Sequence, residues 1–216
     1  HGRDPDGPHY TSRDFPPGGG DVELKIWADK TLQRIRNKGF KAIGAWSHPV
    51  FHQFDVPITR DLNVWTYFAA DARRFYSAHW AETAAKAIAD QVTPLKDNKN
   101  LVGYFIDNEL DWGEGGAGPG YYFDNLAPED PNRAAVVKVI QQLWPTIDQF
   151  NTDWKTTFAS FDDLRKQPAL PNTPSESYGK LFDAWLENLA RDYFTLTTSL
   201  IRKHDPNHLI LGVRFK

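Results

Sequence analysis

Short apolar runs of strand length alternate with amphipathic helical segments along most of this chain. Four such runs occur, at residues 40–46, 62–68, 101–107 and 208–215. Alternation of this kind predicts right-handed βαβ units and a parallel sheet, that is, an α/β fold. No G-x-G-x-x-G follows a strand and no P-loop sequence occurs, so neither nucleotide-binding α/β fold has support. A barrel-type sheet is then the leading α/β candidate.

The helical segments carry their own start and stop signals. Asp21 is a good N-cap and Gly39 a good C-cap residue, which predicts a helix between them. Two further helices are predicted over about 76–95 and 175–203. Pro145 is expected to kink or interrupt a helix in the region between them.

The remaining stretches lack a regular pattern. Residues 1–20 are rich in Gly, Pro and Asp and read as a loop, and residues 110–174 read as a long insertion after the third strand. The chain of 216 residues opens on His1 and has no methionine. We therefore expect residues 1–216 to be a fragment of a single domain.

Composition excludes several classes of partner and site. The formal net charge is −3, with Lys+Arg 25 against Asp+Glu 28, which argues against nucleic-acid binding. No apolar run approaches the roughly 18 residues that a spanning helix needs. The absence of cysteine rules out a disulfide framework, a thiolate metal site and a cysteine nucleophile. The histidines lack metal-ligand spacing, so no metal site is predicted.

The ends of the predicted strands carry the residues that could do chemistry, because ligands bind at the carboxyl ends of parallel strands. The first run ends at Trp46, with His48 close by, and the last run ends near Arg214. The third run is followed by Asn108 and Glu109 after its last residue, Asp107, with Trp112 nearby. A carboxylic acid flanked by an amide and an aromatic ring suits glycoside hydrolysis, which needs a proton donor, hydroxyl-binding amides and stacking platforms for sugars.

Several segments carry a family resemblance. LVGYFIDNELDWG (101–113) resembles the fourth strand of clan A glycoside hydrolases, where Asn-Glu holds the acid/base. GFKAIGAWS (39–47), IDQFNTDWKTTFASFDDL (147–164) and HDPNHLILGVRF (204–215) are similar to families 42 and 50, the β-galactosidase and β-agarase groups. The resemblance implies that Glu109 is the acid/base and that Asn108 binds a sugar hydroxyl. It also implies substrate-binding or supporting roles for Trp46, His48, Trp112 and Arg214.

The same resemblance implies a partial (β/α)8 TIM barrel, about strands two to five, with the insertion after strand four. It implies a retaining reaction on a β-linked, galactose-containing or related polysaccharide or oligosaccharide. The nucleophilic glutamate would come from a seventh strand outside this chain, so we expect the chain alone neither to fold stably nor to hydrolyse glycosides. A carbohydrate partner, no organic cofactor, no required metal and an extracellular or periplasmic address are further expectations.

Other interpretations of these residues stay open on the sequence alone. Glu109 could be a carboxylate at the start of a helix, and Asp107, Glu109, Asp111 and Glu114 could form a calcium loop, although Trp112 stands where that loop needs glycine. Asp107 is expected to pair with an arginine or backbone donors. Arg214 could pair with Glu109 or Asp107. The tryptophans at strand ends could be core residues, which is the default for Trp27, Trp80, Trp144 and Trp185.

Three functional alternatives remain as well. The chain could belong to a clan A enzyme of other specificity, such as a mannanase, glucanase or glucosidase. It could come from a carbohydrate-binding barrel without catalysis, or from a domain in which the Asp-Asn-Glu strand is purely structural.

Overall fold

A three-stranded parallel sheet organises the protein. The computed structural model describes residues 20–65, 74–110, 118–171 and 175–214. The strands are β1 (Ile58–Asp61), β2 (Leu101–Asn108) and β3 (Leu209–Arg214), in the order β1-β2-β3. Ile43 adds a single parallel bridge to Ile58 on the outer side of β1. The order of these segments in the sheet is thus their order in the chain.

Seven α-helices surround this sheet in the described part of the chain. They are α1 (Asp21–Asn37), α2 (Ala78–Val92), α3 (Pro119–Asn125), α4 (Pro131–Leu143), α5 (Ile147–Trp154), α6 (Phe161–Arg165) and α7 (Ser175–His204). Short 3-10 helices cover Pro49–Gln53 and Thr93–Leu95. The segment predicted as an insertion therefore holds α3 to α6, and α3 and α4 pack against α7. None of the described helices combines the length and apolarity that crossing a bilayer requires.

The α/β class is confirmed, and two of the four predicted strands are corrected. β2 and β3 lie within one residue of their predicted positions over the described residues. The run at 40–46 forms only the Ile43 bridge. The strand predicted at 62–68 is wrong: the paired strand is Ile58–Asp61. The Leu62 N–H still donates to the Phe105 carbonyl of β2, and residues 63–65 leave the sheet. Residues 66–68 lie outside the described part.

The helix interruption predicted at Pro145 is confirmed. α4 ends at Leu143 and α5 begins at Ile147, with Thr146 between them as N-cap. The Thr146 hydroxyl accepts from the Gln149 backbone and the Gln149 side chain accepts from the Thr146 N–H, which is a capping box. Since proline cannot donate to the preceding turn, this cap starts a new helix beyond the break.

Aromatic side chains fill the space between the sheet and the helices. Trp65, just beyond β1, packs on Trp80 of α2 and Tyr193 of α7, with ring centroids 5.9 and 5.3 Å away. Trp80, Trp144 and Trp185 are buried, as predicted, whereas Trp27 is half-buried. Rings of this size supply much of the apolar area that holds α2 and α7 together.

A buried carboxylate organises the amino-terminal end of the sheet. Asp205 is fully buried and accepts hydrogen bonds from the Tyr104 hydroxyl (2.7 Å) and the backbone N–H groups of Asn207 and His208. His208 Nδ1 lies 2.6 Å from its Oδ2. Burial alone raises the pKa of Asp205, but these hydrogen bonds outweigh it and bring the pKa to about 2. The network joins the end of α7 to the starts of β2 and β3.

Gly103 lies where the backbones of β2 and β3 approach closely. A Cβ atom there would lie 2.4 Å from the backbone oxygen of Leu209. We expect Gly103→Ala to lower the free energy of unfolding by about 1–3 kcal/mol, because a strand backbone has to shift. Gly179→Ala is the control: a Cβ at this α7 position meets nothing within 4 Å, and alanine should stabilise the helix by about 0.5–1 kcal/mol. Urea unfolding of both variants in the full-length natural protein checks the signs, and equal effects would contradict the close approach.

Candidate active site

The carboxyl ends of the parallel strands bring polar residues to one edge of the sheet. Asp61, Asn108 and Arg214 are the last residues of β1, β2 and β3. Glu109 follows β2, and Trp46 lies three residues beyond the bridge at Ile43. This carboxyl edge is where α/β folds bind ligands. Four of the residues predicted from the sequence therefore lie together there, namely Trp46, Asn108, Glu109 and Arg214.

Three residues at this edge have left-handed backbone conformations. Trp46, Asn63 and Glu109 have φ of 60°, 50° and 50°. Asparagine tolerates this conformation, but for tryptophan and glutamate it costs roughly 1–2 kcal/mol each. Each of the three follows a different segment of the sheet. Strain that recurs at one edge is typical of sites where side-chain direction matters more than stability.

Glu109 presents its carboxylate to solvent. Its side chain is exposed and makes no hydrogen bond to any described residue. Its backbone N–H donates to the carbonyl of Arg214 across the ladder, at 2.7 Å. A helix that began here would run through residues 111–117, which lie outside the described part, so the helix-start interpretation is not tested. The backbone is anchored while the carboxyl group stays accessible, which is the condition for proton transfer to a bound ligand.

The Arg214 side chain reaches across the carboxyl edge to Trp46. The guanidinium carbon lies 4.3 Å from the centroid of the indole ring, a cation–π contact. Trp46 and Arg214 belong to the two outer segments of the sheet, which three strand spacings of ~4.8 Å would separate in a flat sheet. The two side chains thus bridge the outer segments of the sheet across its carboxyl edge. Within the described residues Arg214 makes no ion pair with Glu109 or Asp107, and its N–H groups stay available.

Asp107 has a structural role beneath this edge. It is fully buried, and its Oδ2 accepts from the backbone N–H of Trp65 (2.8 Å) and from the hydroxyl of Tyr193. Burial and the negative charges of Asp107 and Asp61 raise the pKa of Tyr193 well above its ordinary value. The backbone donor expected for Asp107 is thus present. Because this oxygen is already engaged, the geometry does not favour a calcium loop, and residues 111–117 lie outside the described part.

The other predicted residues divide between the site and the scaffold. Asn108 is half-buried, and its Oδ1 is buried without a hydrogen-bond partner among the described residues. His48 caps the 3-10 helix at Pro49–Gln53, since its Nδ1 accepts from the N–H of Val50 at 3.2 Å. The structure therefore gives His48 a capping role and shows no contact that brings it to the carboxyl edge. Trp112 lies outside the described residues.

Asp61 is the residue that the sequence interpretation missed. It is 5% exposed, and burial raises the pKa of its carboxyl group to about 6. Asn63 and the positive charges of Arg60 and Arg214 lower the pKa only in part. The sequence carried little signal for it, because the strand Ile58-Thr59-Arg60-Asp61 has only one apolar residue. Placing the strand at 62–68 put Asp61 before it instead of at its end.

Other features offer no comparable site. No three histidine, aspartate or glutamate side chains in the described residues are grouped so that they could hold a metal ion. A shallow depression of about 570 Å³ lies on α1 beside Gln53 and Phe54. It is lined by flexible exposed side chains and lies away from the carboxyl edge. The chemistry therefore concentrates at the ends of β1, β2 and β3.

The carboxyl edge of this parallel sheet thus carries an exposed carboxylate, an amide and an aromatic–arginine pair, of which glycoside hydrolysis needs the carboxylate as one member of a pair. No family model matches the chain. Among curated proteins it is similar to β-agarase B and β-agarase A of Vibrio sp. (strain JT0107), with 25% and 28% identity. Each match covers 88% of this chain and 22% of the relative.

Solved structures give the same result. An agarase, AgWH50C, superposes with a TM-score of 0.77 at 27% identity, over 92% of this chain and 30% of that protein. An exo-β-agarase superposes with a TM-score of 0.79 at 21% identity, over 94% of this chain and 30% of that one. The chain therefore shares its fold with part of these agarases. It spans less than a third of the length of each of these four proteins.

Proposed function

We propose that this chain is part of the catalytic domain of a glycoside hydrolase that cleaves a β-linked, galactose-containing polysaccharide. The observation that carries the proposal is the Glu109 carboxyl group, free of protein partners in the described residues and anchored at the carboxyl edge beside Asn108. Similarity to β-agarases along 88% of the chain supports the substrate class. In this proposal residues 1–216 are a single-domain fragment of a (β/α)8 barrel, with strands two to five at Ile43, β1, β2 and β3.

Each residue at the carboxyl edge has a role in this proposal. Glu109 protonates the departing glycosidic oxygen and then takes a proton from the incoming water. Asn108, half-buried beside Glu109, forms a hydrogen bond with a sugar hydroxyl through its side-chain amide. Arg214 offers guanidinium N–H donors to ring substituents, and Trp46 holds that guanidinium in place. Trp112 is proposed as a further stacking residue.

A retaining mechanism needs a second carboxylate about 5 Å from the first, acting as nucleophile. We propose that it comes from a later barrel strand, in the remainder of the barrel. That remainder would also cover the apolar side chains that β2 and β3 expose, since Val102 and Leu209 are 38% and 56% exposed. The location proposed for the enzyme is extracellular or periplasmic, because that location fits a polysaccharide substrate.

A substrate panel tests the proposal. The natural protein that contains these residues, at its full length, is incubated with agarose, mannan and a β-glucan, and released oligosaccharides are sized by chromatography. We expect products from agarose at a rate at least tenfold above that from either other polymer. Release from mannan or β-glucan alone would assign a different specificity. No release from any of the three, with oligosaccharide binding retained, would indicate a binding protein.

A further inference from the structure

The direction of the Glu109 side chain depends on a strained backbone at the end of β2. Asp107 faces α7, since it accepts a hydrogen bond from Tyr193. Side chains alternate between the two faces of a strand, so a Glu109 that continued β2 regularly would face α7 as well. Its left-handed conformation, with φ of 50°, ends this alternation, and the side chain is exposed. Such a conformation is unfavourable for glutamate and persists only where the surrounding structure enforces it.

Two contacts fix the chain at Glu109 and just after it. The Glu109 backbone N–H donates to the Arg214 carbonyl of β3 at 2.7 Å. The next side chain, Leu110, is buried in the core. Both contacts hold the backbone at or beyond the strained residue. The direction of Glu109 therefore also requires an anchor on the residues before it.

Asp107 is the anchor before Glu109. It is fully buried and pairs in the ladder with Val213 of β3. Its Oδ2 accepts from the backbone N–H of Trp65, at 2.8 Å, and from the hydroxyl of Tyr193. One carboxylate oxygen thus ties the end of β2 to the segment that follows β1 and to the helix α7.

Tyr193 is a rigid donor in this arrangement. Its side chain is fully buried and packs edge-on against Trp65 and Trp80, with ring centroids 5.3 and 6.2 Å away. Burial and the negative charge of Asp107 raise the pKa of Tyr193 well above its ordinary value, so the hydroxyl keeps its proton at neutral pH. The aromatic core therefore sets the position of a hydroxyl that stays a hydrogen-bond donor to Asp107.

We propose that Tyr193 is a positioning residue, which acts through Asp107 to hold Glu109 in the direction that proton transfer to a glycosidic oxygen requires. This inference rests on the proposed function and adds to it a residue of the helix layer that does not touch the substrate. A general acid has to lie within hydrogen-bond distance of the oxygen it protonates, and a displacement of about 1 Å can cost about 100-fold in rate. Without the Tyr193 hydroxyl, Asp107 loses one of the hydrogen bonds that hold it, and the strained backbone at Glu109 can relax.

The test compares Tyr193→Phe with Tyr104→Phe in the full-length natural protein. Both tyrosines are fully buried, and each donates its hydroxyl to a fully buried aspartate, Tyr193 to Asp107 and Tyr104 to Asp205. The pair of Tyr104 and Asp205 belongs to the network at the amino-terminal end of the sheet. Each substitution removes one buried hydrogen bond, so we expect similar decreases in Tm. An effect that acts only through stability would therefore be the same in both variants.

Two substrates with different leaving groups are measured on each variant. An agaro-oligosaccharide releases a sugar oxygen that has to be protonated, whereas a dinitrophenyl β-glycoside of the same sugar releases a phenolate that needs no proton. We expect Tyr193→Phe to lower kcat/KM on the oligosaccharide about 10- to 100-fold. On the dinitrophenyl glycoside the loss should stay below about twofold, because kcat/KM reports a first step that needs no acid there. Tyr104→Phe should change both values by the same factor.

The ratio of the two kcat/KM values does not depend on how much of a variant is folded, so it separates positioning from stability. Asp107→Asn replaces charge-assisted hydrogen bonds with weaker neutral ones and should shift this ratio in the same direction, which provides a second variant if Tyr193→Phe does not fold. An unchanged ratio in Tyr193→Phe or in Asp107→Asn, beside an active wild type, overturns the positioning role alone. The same shift in Tyr104→Phe does so as well. A wild type that is inactive on both substrates overturns the proposed function and this inference with it.

Discussion

Replacing Glu109 with glutamine is expected to reduce kcat on agaro-oligosaccharides about 10³-fold or more in the full-length natural protein. Glutamine keeps the size and the polar character of the side chain but cannot donate a proton to the departing oxygen. General acid catalysis contributes about 10²–10⁴-fold. Because the Glu109 side chain is exposed and makes no hydrogen bond to any described residue, the substitution should leave the Tm unchanged. Steady-state kinetics and a thermal melt measure the two effects.

Glu129→Gln is the matched control, since Glu129 is an exposed glutamate just before α4, in the segment interpreted as an insertion. We expect its kinetics to equal those of the wild type. Oligosaccharide binding should survive in Glu109→Gln, so that the loss falls on kcat and not on KM. Wild-type kcat in Glu109→Gln would show that another group supplies the proton.

Replacing Asp205 with asparagine is expected to lower the free energy of unfolding by about 2–4 kcal/mol at pH 7. Asparagine puts an amide in place of a carboxylate that takes hydrogen bonds from the Tyr104 hydroxyl, two backbone N–H groups and the His208 ring. One of these donors is then left facing an NH₂ group in a fully buried site. Urea unfolding of the full-length natural protein, followed by tryptophan fluorescence, measures the loss.

The stability lost in Asp205→Asn should also depend on pH in a definite direction. The pKa of Asp205 is depressed on folding, from 3.8 to about 2, so its stabilising contribution is present above about pH 4 and is lost as the pH falls through 2. The difference in the free energy of unfolding between wild type and Asp205→Asn should therefore become smaller at acidic pH. Asp97→Asn, an exposed aspartate in the loop before β2, should change stability by less than about 0.5 kcal/mol. A difference in unfolding free energy that grows at acidic pH would contradict the stabilising role of the Asp205 network.

The sequence predicts β2, β3 and the long helices well because local signals coincide there. The apolar run 101–107 ends on a polar triplet, and Asp205-Pro206 ends α7 beside the network that holds β3. Over residues 40–68 the apolar pattern and the position of the paired strand do not coincide. Leu62 and Val64 are buried like strand residues but lie outside the strand, because packing in the core buries them as effectively as a sheet does. Apolar runs report burial, and only pairing partners decide which buried segment is a strand.

The candidate site shows the same limit. The places of Asn108, Glu109 and Arg214 at the carboxyl edge follow from strand ends alone. The contact between Arg214 and Trp46 could not be predicted, because it joins side chains from segments far apart in the chain. Nor could the cap made by His48, which depends on one hydrogen bond to Val50. Asp61 was missed through a shift of four residues in one strand.

The most direct measurement of the central claim is azide rescue of Glu109→Ala in the full-length natural protein. The substrate is an aryl β-galactoside or β-agaro-oligosaccharide, whose phenol leaves without protonation. If Glu109 is the acid/base of a retaining hydrolase, the glycosyl-enzyme forms but water attacks it slowly, and azide, which needs no general base, replaces water. We predict a turnover that rises with azide concentration and a β-configured glycosyl azide as product, identified by NMR. Turnover of Glu109→Ala that azide does not change, or an α-configured azide, would contradict the account.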